Sequence, residues 1–350
     1  VNMKRGLINP KQWLVYIEQQ IGFILPTSQQ LWLTHAIEQF AKQSAISTET
    51  LWQSLPNDKG LQQRFIDHVV IAQPHFFRHK PSIEFVTQVV GGRLSYILTH
   101  SELSDLRPSP STIPTITTPT ITTPTITPTS SNRIFSTTSN ATTDAVKVWC
   151  AGCSTGQEVW SLAMAIHNQV SKLTDNTENW LANLSILGTD VSLSAIEQAR
   201  QARYPMRQLI EIPKQYHCHV HHNDAKQGED GQDKDNGKSS HKVNKADTEQ
   251  FWQISSHLFA MVNFVQSNLF LPAKTAQADM YDVIFCQNLL IYFREFDQRD
   301  LLARFVKHCR VGGYLLLAPG EAMSWQHPLM KRVKRTDINA WQKMANTNAS

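Results

Sequence analysis

The sequence predicts an α/β protein built on a doubly wound parallel sheet, and three observations indicate it. In the second half of the chain, apolar runs typical of buried strands, such as VKVWCA and GYLLLA, alternate with helix-like segments, such as EVWSLAMAIHNQV. In about the first hundred residues, apolar side chains recur every three or four positions, which predicts helices. A Thr/Pro-rich tract separates these two parts. We therefore expect a helical domain followed by a sheet-based one.

The patterns divide the chain into three parts. Residues 1–102 are predicted to be a small helical domain, with helices in WLVYIEQQIGFIL, QQLWLTHAIEQFA, LQQRFIDHVVIA and SIEFVTQVVGGRLSYIL. Residues 103–143 carry threonine and proline in near-repeat, and they predict a disordered linker because they can bury little apolar surface. Residues 144–350 hold the sheet. Within them, 216–264 interrupts the alternation and predicts a small excursion with a long loop.

Each element of the sheet domain has its own signal. Strands are predicted in AVKVWCAG, LSILGTDV and GGYLLLAP, DVIFCQNLLIYF is predicted to be a strand and a loop, and FWQISS is strand-like within the excursion. Helices are predicted in EVWSLAMAIHNQV, SLSAIEQARQARY and REFDQRDLLARFVKHC. Ser192 precedes the second of these helices as an N-cap residue.

Composition excludes several classes of function. The net charge of +4 is small for 350 residues and the basic residues are scattered, so we expect no nucleic-acid partner. No apolar run reaches the roughly 20 residues that span a bilayer, and no signal peptide is evident, so we expect a cytoplasmic protein without membrane insertion. The five cysteines are an odd number in a long chain, which favours reduced thiols.

The stretch VWCAGCSTGQEVWS lies where the first strand passes to its helix, which is the ligand-binding position of such sheets. Gly152 and Gly156 would let the backbone approach a ligand, Ser154 and Thr155 offer hydroxyls, and Glu158 falls in the first helical turn. The stretch matches neither GxxxxGK[ST] nor GxGxxG, which disfavours a phosphate ligand.

An acid at this position suits a ligand that carries a cation. Glu158 would favour an ammonium or sulfonium group, and Asp190, at the end of the next strand, could accept hydrogen bonds from ribose hydroxyls. S-adenosyl-L-methionine carries all of these groups. Structural alternatives stay open, because Asp190 could cap a helix and both Asn268 and Asn288 could be turn residues.

Four ordered motifs resemble the CheR-type chemoreceptor glutamate methyltransferases. CAGCSTGQEVWS is similar to that family's STGEE motif, and GTDVSLSAIEQARQARY resembles its segment with A-R-x-G-x-Y. YDVIFCQNLLIYF is similar to its FD-x-IFCRNV-x-IYF, and FFRH at 76–79 resembles the FFR that ends its helical domain. The resemblance implies a Rossmann-like methyltransferase sheet, a helical N-terminal domain and a small antiparallel β-subdomain at about 216–264.

The resemblance also implies roles for individual residues. The residues implied to bind S-adenosyl-L-methionine are Arg78, Thr155, Glu158, Asp190, Asn268, Leu269, Asn288 and Leu289, with Glu158 towards the amino group and Asp190 towards the ribose. Arg78 and Tyr292 would act on the acceptor side. The implied partner is the cytoplasmic domain of a methyl-accepting chemoreceptor, and we expect the protein to act as a monomer without a metal.

The chain departs from the family's pattern in places. Residues 71–75 replace the family's threonine and asparagine before FFR, Gln287 replaces the arginine of CRN, and Pro319-Gly320-Glu321 stands for GHSE. The helix QQLWLTHAIEQFAKQ lacks the usual arginines, which suggests an altered receptor, such as one of a type IV pilus pathway.

Other interpretations compete with the methyltransferase. Cys150 and Cys153 form a CxxC, but residues still precede the helix and no second CxxC completes a zinc site. The histidines of HCHVHH at 217–222 could bind a metal adventitiously, but alternating histidines in a polar excursion are more often solvated surface residues. Methylation of RNA or of a small molecule, and a silent binding module with the same fold, are the remaining alternatives.

Overall fold

The computed structural model of the chain describes residues 9–24, 30–70, 74–105, 145–172, 177–222, 250–271 and 280–346. Its first part is helical, with α1 (Pro10–Ile21), α2 (Gln30–Gln43), α3 (Thr48–Ser54), α4 (Lys59–Val69) and α5 (Lys80–Asp105). Side chains of Asn9, Ser47 and Asp58 accept backbone N–H bonds at the starts of α1, α3 and α4. Each cap satisfies a donor that has no partner within its helix.

Helix α5 differs from the prediction in its end and in its packing. It continues to Asp105, past the predicted boundary at 102. Its buried residues Val86 and Val90 belong to the same core as Val148 and Trp160 of the sheet domain. The last helix assigned to the first domain from the sequence thus packs into the core of the sheet domain. Residues 106–144 lie outside the described residues, so the disordered linker at 103–143 stays a prediction.

The second part alternates strands and helices. In chain order it contains β1 (Val146–Ala151), α6 (Gln157–Val170), α7 (Thr177–Ala182), β2 (Leu184–Asp190), α8 (Leu193–Gln201), β3 (Arg203–Pro205), β4 (Val220–His222), β5 (Phe251–Ile254), β6 (Val262–Gln266), β7 (Tyr281–Cys286), α9 (Glu295–His308), β8 (Cys309–Leu317), β9 (Met330–Arg332) and β10 (Asn339–Lys343). Ser192 caps α8 as predicted, since its Oγ accepts the N–H of Ala195 at 3.1 Å.

The main sheet has the order β6-β2-β1-β7-β8-β10-β9. Strands β6, β2, β1, β7 and β8 run parallel, which confirms the predicted doubly wound part, whereas β10 and β9 are antiparallel. The antiparallel edge was not predicted from the sequence. Short strands such as Met330–Arg332 carry too few residues for an alternation to show.

A separate three-stranded antiparallel sheet has the order β3-β5-β4. It confirms the antiparallel subdomain, but its bounds differ from 216–264: the sheet begins at Arg203, and β6 belongs to the main sheet. Strand β3 escapes sequence patterns because it has three residues and ends in Pro205, which an edge strand tolerates. The predicted flexible loop falls on 223–249, outside the described residues.

Both faces of the main sheet are covered. Helices α5 and α6 share one core with the strands, and α1 to α4 share the other with α9 and residues such as Ile284 and Leu315. All six residues of β7 are buried, as expected for a central parallel strand. No helix within the described ranges is long and apolar enough to cross a membrane.

Candidate cofactor site at the carboxyl edge of the sheet

A cleft of about 390 Å³ lies at the edge where the parallel strands end. The register of the strands creates it, because Ala151 pairs with Thr189 and the loops that follow β1 and β2 leave the sheet side by side. All nine residues expected from the sequence line this cleft: Arg78, Thr155, Glu158, Asp190, Asn268, Leu269, Asn288, Leu289 and Tyr292. They come from segments far apart in the sequence, and the fold brings them together.

Asp190 organises the loops on one side of the cleft. Its Oδ2 accepts the N–H of Ser154 at 2.8 Å, and its Oδ1 accepts the N–H of Ser192 at 2.9 Å. Burial raises the pKa of Asp190, and these backbone N–H groups oppose the rise. A carboxylate has about four lone-pair sites, so Asp190 can shape the loops and still accept ligand hydroxyls.

Glu158 is a carboxylate on α6 that faces a different environment. Burial raises its pKa to about 8, the positive charge of Arg78 opposes the rise, and the negative charge of Glu321 adds to it. A half-buried acid whose pKa is raised in this way gains from a nearby cation, because a positive charge favours the ionised form. The site therefore suits a ligand with a positively charged group beside Glu158.

The glycines of the first loop serve the protein's own packing. Gly152 and Gly156 have φ values of 75° and 93°. A Cβ on Gly152 would lie 2.9 Å from Leu289 Cδ2, and one on Gly156 would lie 2.8 Å from the Ala199 Cβ. Both glycines thus let this backbone pack closely against neighbouring side chains, and Gly152 also lines the cleft.

Thr155 is held by two interactions. Its Oγ1 donates to Gln157 Oε1 at 2.8 Å, and its carbonyl oxygen accepts from the hydroxyl of Tyr204 at 2.7 Å. Tyr204 lies on β3, so the small sheet supports the first loop of the cleft from behind. The side chain of Thr155 is thus fixed before any ligand binds.

The two asparagines have structural tasks. Asn268 Nδ2 donates to the carbonyl oxygen of Gln20 at 2.8 Å, and its Oδ1 accepts the N–H of Phe270 at 2.9 Å. This is the turn geometry that the sequence analysis left open, and it also ties the loop after β6 to α1. Asn288 has a φ of 54°, a left-handed conformation that asparagine tolerates better than most residues.

An aromatic group forms the opposite side of the cleft. The Tyr292 ring stacks on Phe23 with centroids 5.1 Å apart, and Phe293 meets Phe23 edge-on at 5.4 Å. The carbonyl oxygen of Tyr292 accepts the N–H of Ile24 at 2.7 Å. Phe23 was not found by sequence reasoning, because it follows a helix as one more apolar residue and carries no motif.

Glu321 fixes the loop formed by residues 288–292. Its Oε1 accepts the N–H of Leu290 and its Oε2 that of Ala318, both at 3.0 Å. Burial raises its pKa and the backbone N–H groups oppose the rise. In the sequence, Glu321 stands out only as part of the departure from GHSE, and the acid retained there is the one signal for this role.

Asp67 of α4 is another residue whose role the sequence does not reveal. Its two oxygens accept the N–H groups of Leu193 at 2.9 Å and Ser194 at 3.2 Å, at the start of α8. A helix of the N-terminal part thus supplies a cap for a helix of the sheet domain. No local motif marks this residue, because its partners lie more than a hundred positions away.

Two buried polar atoms of the cleft lack a partner in the described part of the chain. These are Ser154 Oγ and the Nε2 of Gln287. Such atoms cost free energy unless a ligand or water pairs with them. A hydroxyl, an amide donor and two carboxylates fit a polar, cationic ligand such as S-adenosyl-L-methionine.

Cys150 and Cys153 do not have the features of a redox site. All five are free, and Cys150 and Cys153 are buried. Burial, as the largest cause, raises the pKa of both thiols well above the ordinary value, with nearby acids adding to the effect. Both thiols therefore stay protonated and unreactive, because the thiolate is the reactive form.

Comparison with known proteins agrees with the motifs. The family model described as "CheR methyltransferase, SAM binding domain" matches residues 126–234 and 236–339, more than half of the chain. The chain belongs to the CheR methyltransferase family. This match confirms the resemblance inferred from the four motifs. Because SAM stands for S-adenosyl-L-methionine, it also confirms the expected cofactor.

Individual relatives are similar over about half of this chain. The chemotaxis protein methyltransferase of Borreliella burgdorferi is 27% identical over 184 residues, which are 53% of this chain and 55% of that protein. Chemotaxis protein methyltransferase 1 of Pseudomonas aeruginosa is 28% identical over 182 residues, 51% of this chain and 56% of that protein. The chain spans about half the length of the curated relatives it matches.

A solved structure with a bound ligand is also similar. The plantazolicin methyltransferase BpumL in complex with SAH is 15% identical, with a TM-score of 0.24, and the match covers 50% of this chain and 38% of that one.

Proposed function

We propose that the protein is a protein-glutamate O-methyltransferase that uses S-adenosyl-L-methionine to methylate glutamate side chains of chemoreceptors. The observation that carries this proposal is the convergence of the four CheR-like motifs on one cleft, with Glu158 and Asp190 at its polar side. Chemotaxis methyltransferases among the relatives support the same acceptor class.

The cofactor half of the site consists of Thr155, Glu158 and Asp190. The bound cofactor supplies an electrophilic methyl group on a positively charged sulfur. Glu158 would pair with the amino group and thereby become ionised, and Asp190 would accept from the ribose hydroxyls with its remaining lone pairs. Asn268, Leu269, Asn288 and Leu289 would frame the adenine and methionine portions.

The acceptor half needs no general base. A glutamate side chain is already ionised at pH 7, so the protein has only to orient one of its oxygens and exclude water. Arg78 and Tyr292 line the cleft and carry groups that can donate hydrogen bonds to a carboxylate. Their role is to hold the acceptor, and the aromatic side with Phe23 keeps the reacting region dry.

The acceptor belongs to a receptor with an altered docking surface. Helix α2 carries Lys42 as a base in its last turn and exposes Leu31 and Trp32, with 70% and 38% of their surfaces accessible. A surface of this kind suits an apolar receptor face better than an acidic one. We therefore include a type IV pilus chemoreceptor beside a flagellar one as acceptor.

The test is transfer of a labelled methyl group from S-adenosyl-L-methionine to purified cytoplasmic fragments of both receptors. Glutamyl methyl esters release the label as methanol in base, so base-labile counts identify the product. Glu158→Gln should lower transfer about tenfold, since it removes one charge-assisted contact. Glu197→Gln, an exposed acid on α8, is the matched control and should leave transfer unchanged.

Three outcomes separate the alternatives. Base-labile label that requires receptor glutamates and Glu158 supports the proposal. Cofactor binding by calorimetry without label on either receptor contradicts it and favours the binding module. Base-stable label on RNA or a small molecule contradicts the glutamate acceptor while keeping the methyltransferase.

A further inference from the structure

Three histidines from distant parts of the chain meet behind the small sheet. His167 lies on α6, His219 precedes β4, and His257 follows β5. One ligand nitrogen from each ring lies within 4.8 Å of the others. Sequence reasoning expected the histidines of 217–222 to be solvated, but His219 is only 2% exposed and faces the other two rings.

The orientation of His219 is fixed by a chain of hydrogen bonds. Asn168 Nδ2 donates to the carbonyl oxygen of Gln215 at 3.1 Å, which turns Asn168 Oδ1 towards His219. His219 Nε2 then donates to Asn168 Oδ1 at 3.0 Å. In the neutral ring, Nδ1 is therefore left without a proton, and it lies 2.9 Å from Nε2 of His257.

This arrangement resembles the support that proteins build around metal-bound histidines. A ligating imidazole usually donates its other N–H to an amide or carboxylate oxygen, which fixes the tautomer and the ring plane. Asn168 does this for His219.

The distances between the rings also suit a tetrahedral ion. With Zn–N bonds of about 2.0–2.1 Å, ligand nitrogens lie roughly 3.3 Å apart and imidazole centroids roughly 5 Å apart. The three centroid distances are 4.7 Å for His167 and His257, 5.0 Å for His167 and His219, and 5.1 Å for His219 and His257. The contact between His219 Nδ1 and His257 Nε2, at 2.9 Å, is shorter than the expected separation of ligand nitrogens, so the two rings would separate and tilt to admit the ion.

We propose that His167, His219 and His257 form a binding site for Zn²⁺ that joins α6 to the small antiparallel sheet. Three imidazoles without a carboxylate favour zinc over magnesium or calcium, which require oxygen ligands. His257 is exposed, so the fourth position faces solvent and takes water. The site lies outside the cofactor cleft, because none of the three histidines lines that cleft.

The bound ion would hold the small sheet against the helix that carries Glu158. Helix α6 begins beside the cleft at Gln157 and reaches His167 near its other end. His219 and His257 flank the strands β4 and β5, and β3 of the same sheet supports Thr155 through Tyr204. Zinc would thus stabilise the wall on which the first loop of the cleft rests.

The experiment is metal binding by the full-length, untagged chain, freed of metal with a chelator. Zn²⁺ is titrated by calorimetry, and Co²⁺ serves as a spectroscopic probe because tetrahedral Co²⁺ absorbs strongly in the visible range. We expect one tight site, a tetrahedral Co²⁺ spectrum and a rise in Tm of about 5 °C at saturating Zn²⁺. Asn168→Ala should weaken binding about tenfold through its effect on His219.

His257→Gln tests the site directly, since this exposed side chain can change without disturbing a core. It should lower Zn²⁺ affinity at least about tenfold and abolish the tetrahedral spectrum. His35→Gln, an exposed histidine on α2, is the matched control and should bind like the original chain. Equal binding by the original chain and His257→Gln, or no binding by the original chain, would overturn the proposal.

Discussion

The two sides of the cleft present different groups to a ligand, although a buried acid holds the backbone on each side. On the polar side, the carboxylate of Asp190 gathers backbone N–H groups from Ser154 and Ser192. On the aromatic side, the rings of Phe23 and Tyr292 stack, and the acid that fixes the loop, Glu321, lies beneath it. On both sides, a buried acid, Asp190 or Glu321, accepts backbone N–H bonds and thereby fixes a loop. Burial raises the pKa of Glu158 to about 8, so a positively charged ligand group would stabilise its ionised form more than that of the other two acids.

The difference between Asp190 and Glu321 on the one hand and Glu158 on the other shows that acids in one site can have different roles. An acid that accepts backbone N–H bonds can be ionised without a cation, because those donors stabilise the charge. An acid that lacks this support changes its protonation with the ligand. Substitutions of the acids should therefore separate effects on folding from effects on binding.

The largest effect is expected for Asp190→Ala. Two buried N–H groups lose their acceptor, so the free energy of unfolding should fall by about 3 kcal/mol, and cofactor affinity should fall about a hundredfold. Urea denaturation and calorimetry measure the two quantities. A cofactor affinity within threefold of the original would show that Asp190 serves only the loops.

Glu321→Ala should weaken folding by about 2 kcal/mol, because the N–H groups of Leu290 and Ala318 lose their partner. Cofactor affinity should fall by a smaller factor than in Asp190→Ala, since Glu321 acts through the loop. Glu197→Gln is a control for loss of an acid as such. Unchanged stability in Glu321→Ala would contradict the role of this acid in fixing the loop at Leu290.

Glu158→Gln should affect binding more than folding, and its effect on stability should depend on pH. The folded pKa of about 8 exceeds the ordinary value of 4.5, so the folded state binds more protons than the unfolded state between these values. Glu158 therefore makes the ligand-free protein less stable as pH rises from about 4.5 to 8. Glu158→Gln should lack this decline, and urea denaturation at pH 5 and pH 8 measures the difference.

The smallest effect is expected for Tyr292→Phe. The ring that stacks on Phe23 is retained, so stability and cofactor affinity should stay nearly unchanged. Loss of the hydroxyl should lower kcat for methyl transfer about fivefold if it orients the acceptor. Steady-state kinetics with a receptor fragment give this value, and an unchanged kcat would remove Tyr292 from the acceptor side.

Sequence reasoning worked where local signals determine the structure. The strands β1, β2, β7 and β8 were predicted because each is a bounded apolar run, and Ser192 was predicted as an N-cap because capping depends on neighbouring residues. The nine site residues are those that the family resemblance implies, and all except Arg78 lie at or after the end of a parallel strand. Since parallel strands end at one edge, the sheet brings such positions together.

The remaining features depend on distant contacts. Asp67 caps α8 across the interface between the helical part and the sheet domain, and His167 meets His257 only after α6 and the small sheet have packed. No periodicity or spacing records such pairs. The place of α5 in the core of the sheet domain was missed for the same reason, because its apolar face looks like that of its neighbours.

The packing of α5 has a consequence for engineering. Because its buried residues lie in one core with β1 and α6, the segment 106–144 joins two elements that already hold each other in place. The sequence predicts a disordered linker at 103–143, and the entropy of closing a flexible connection grows only with the logarithm of its length, about 0.6 kcal/mol for each doubling. A fluorescent reporter or an affinity handle could therefore be grafted into this segment while the cleft keeps its geometry.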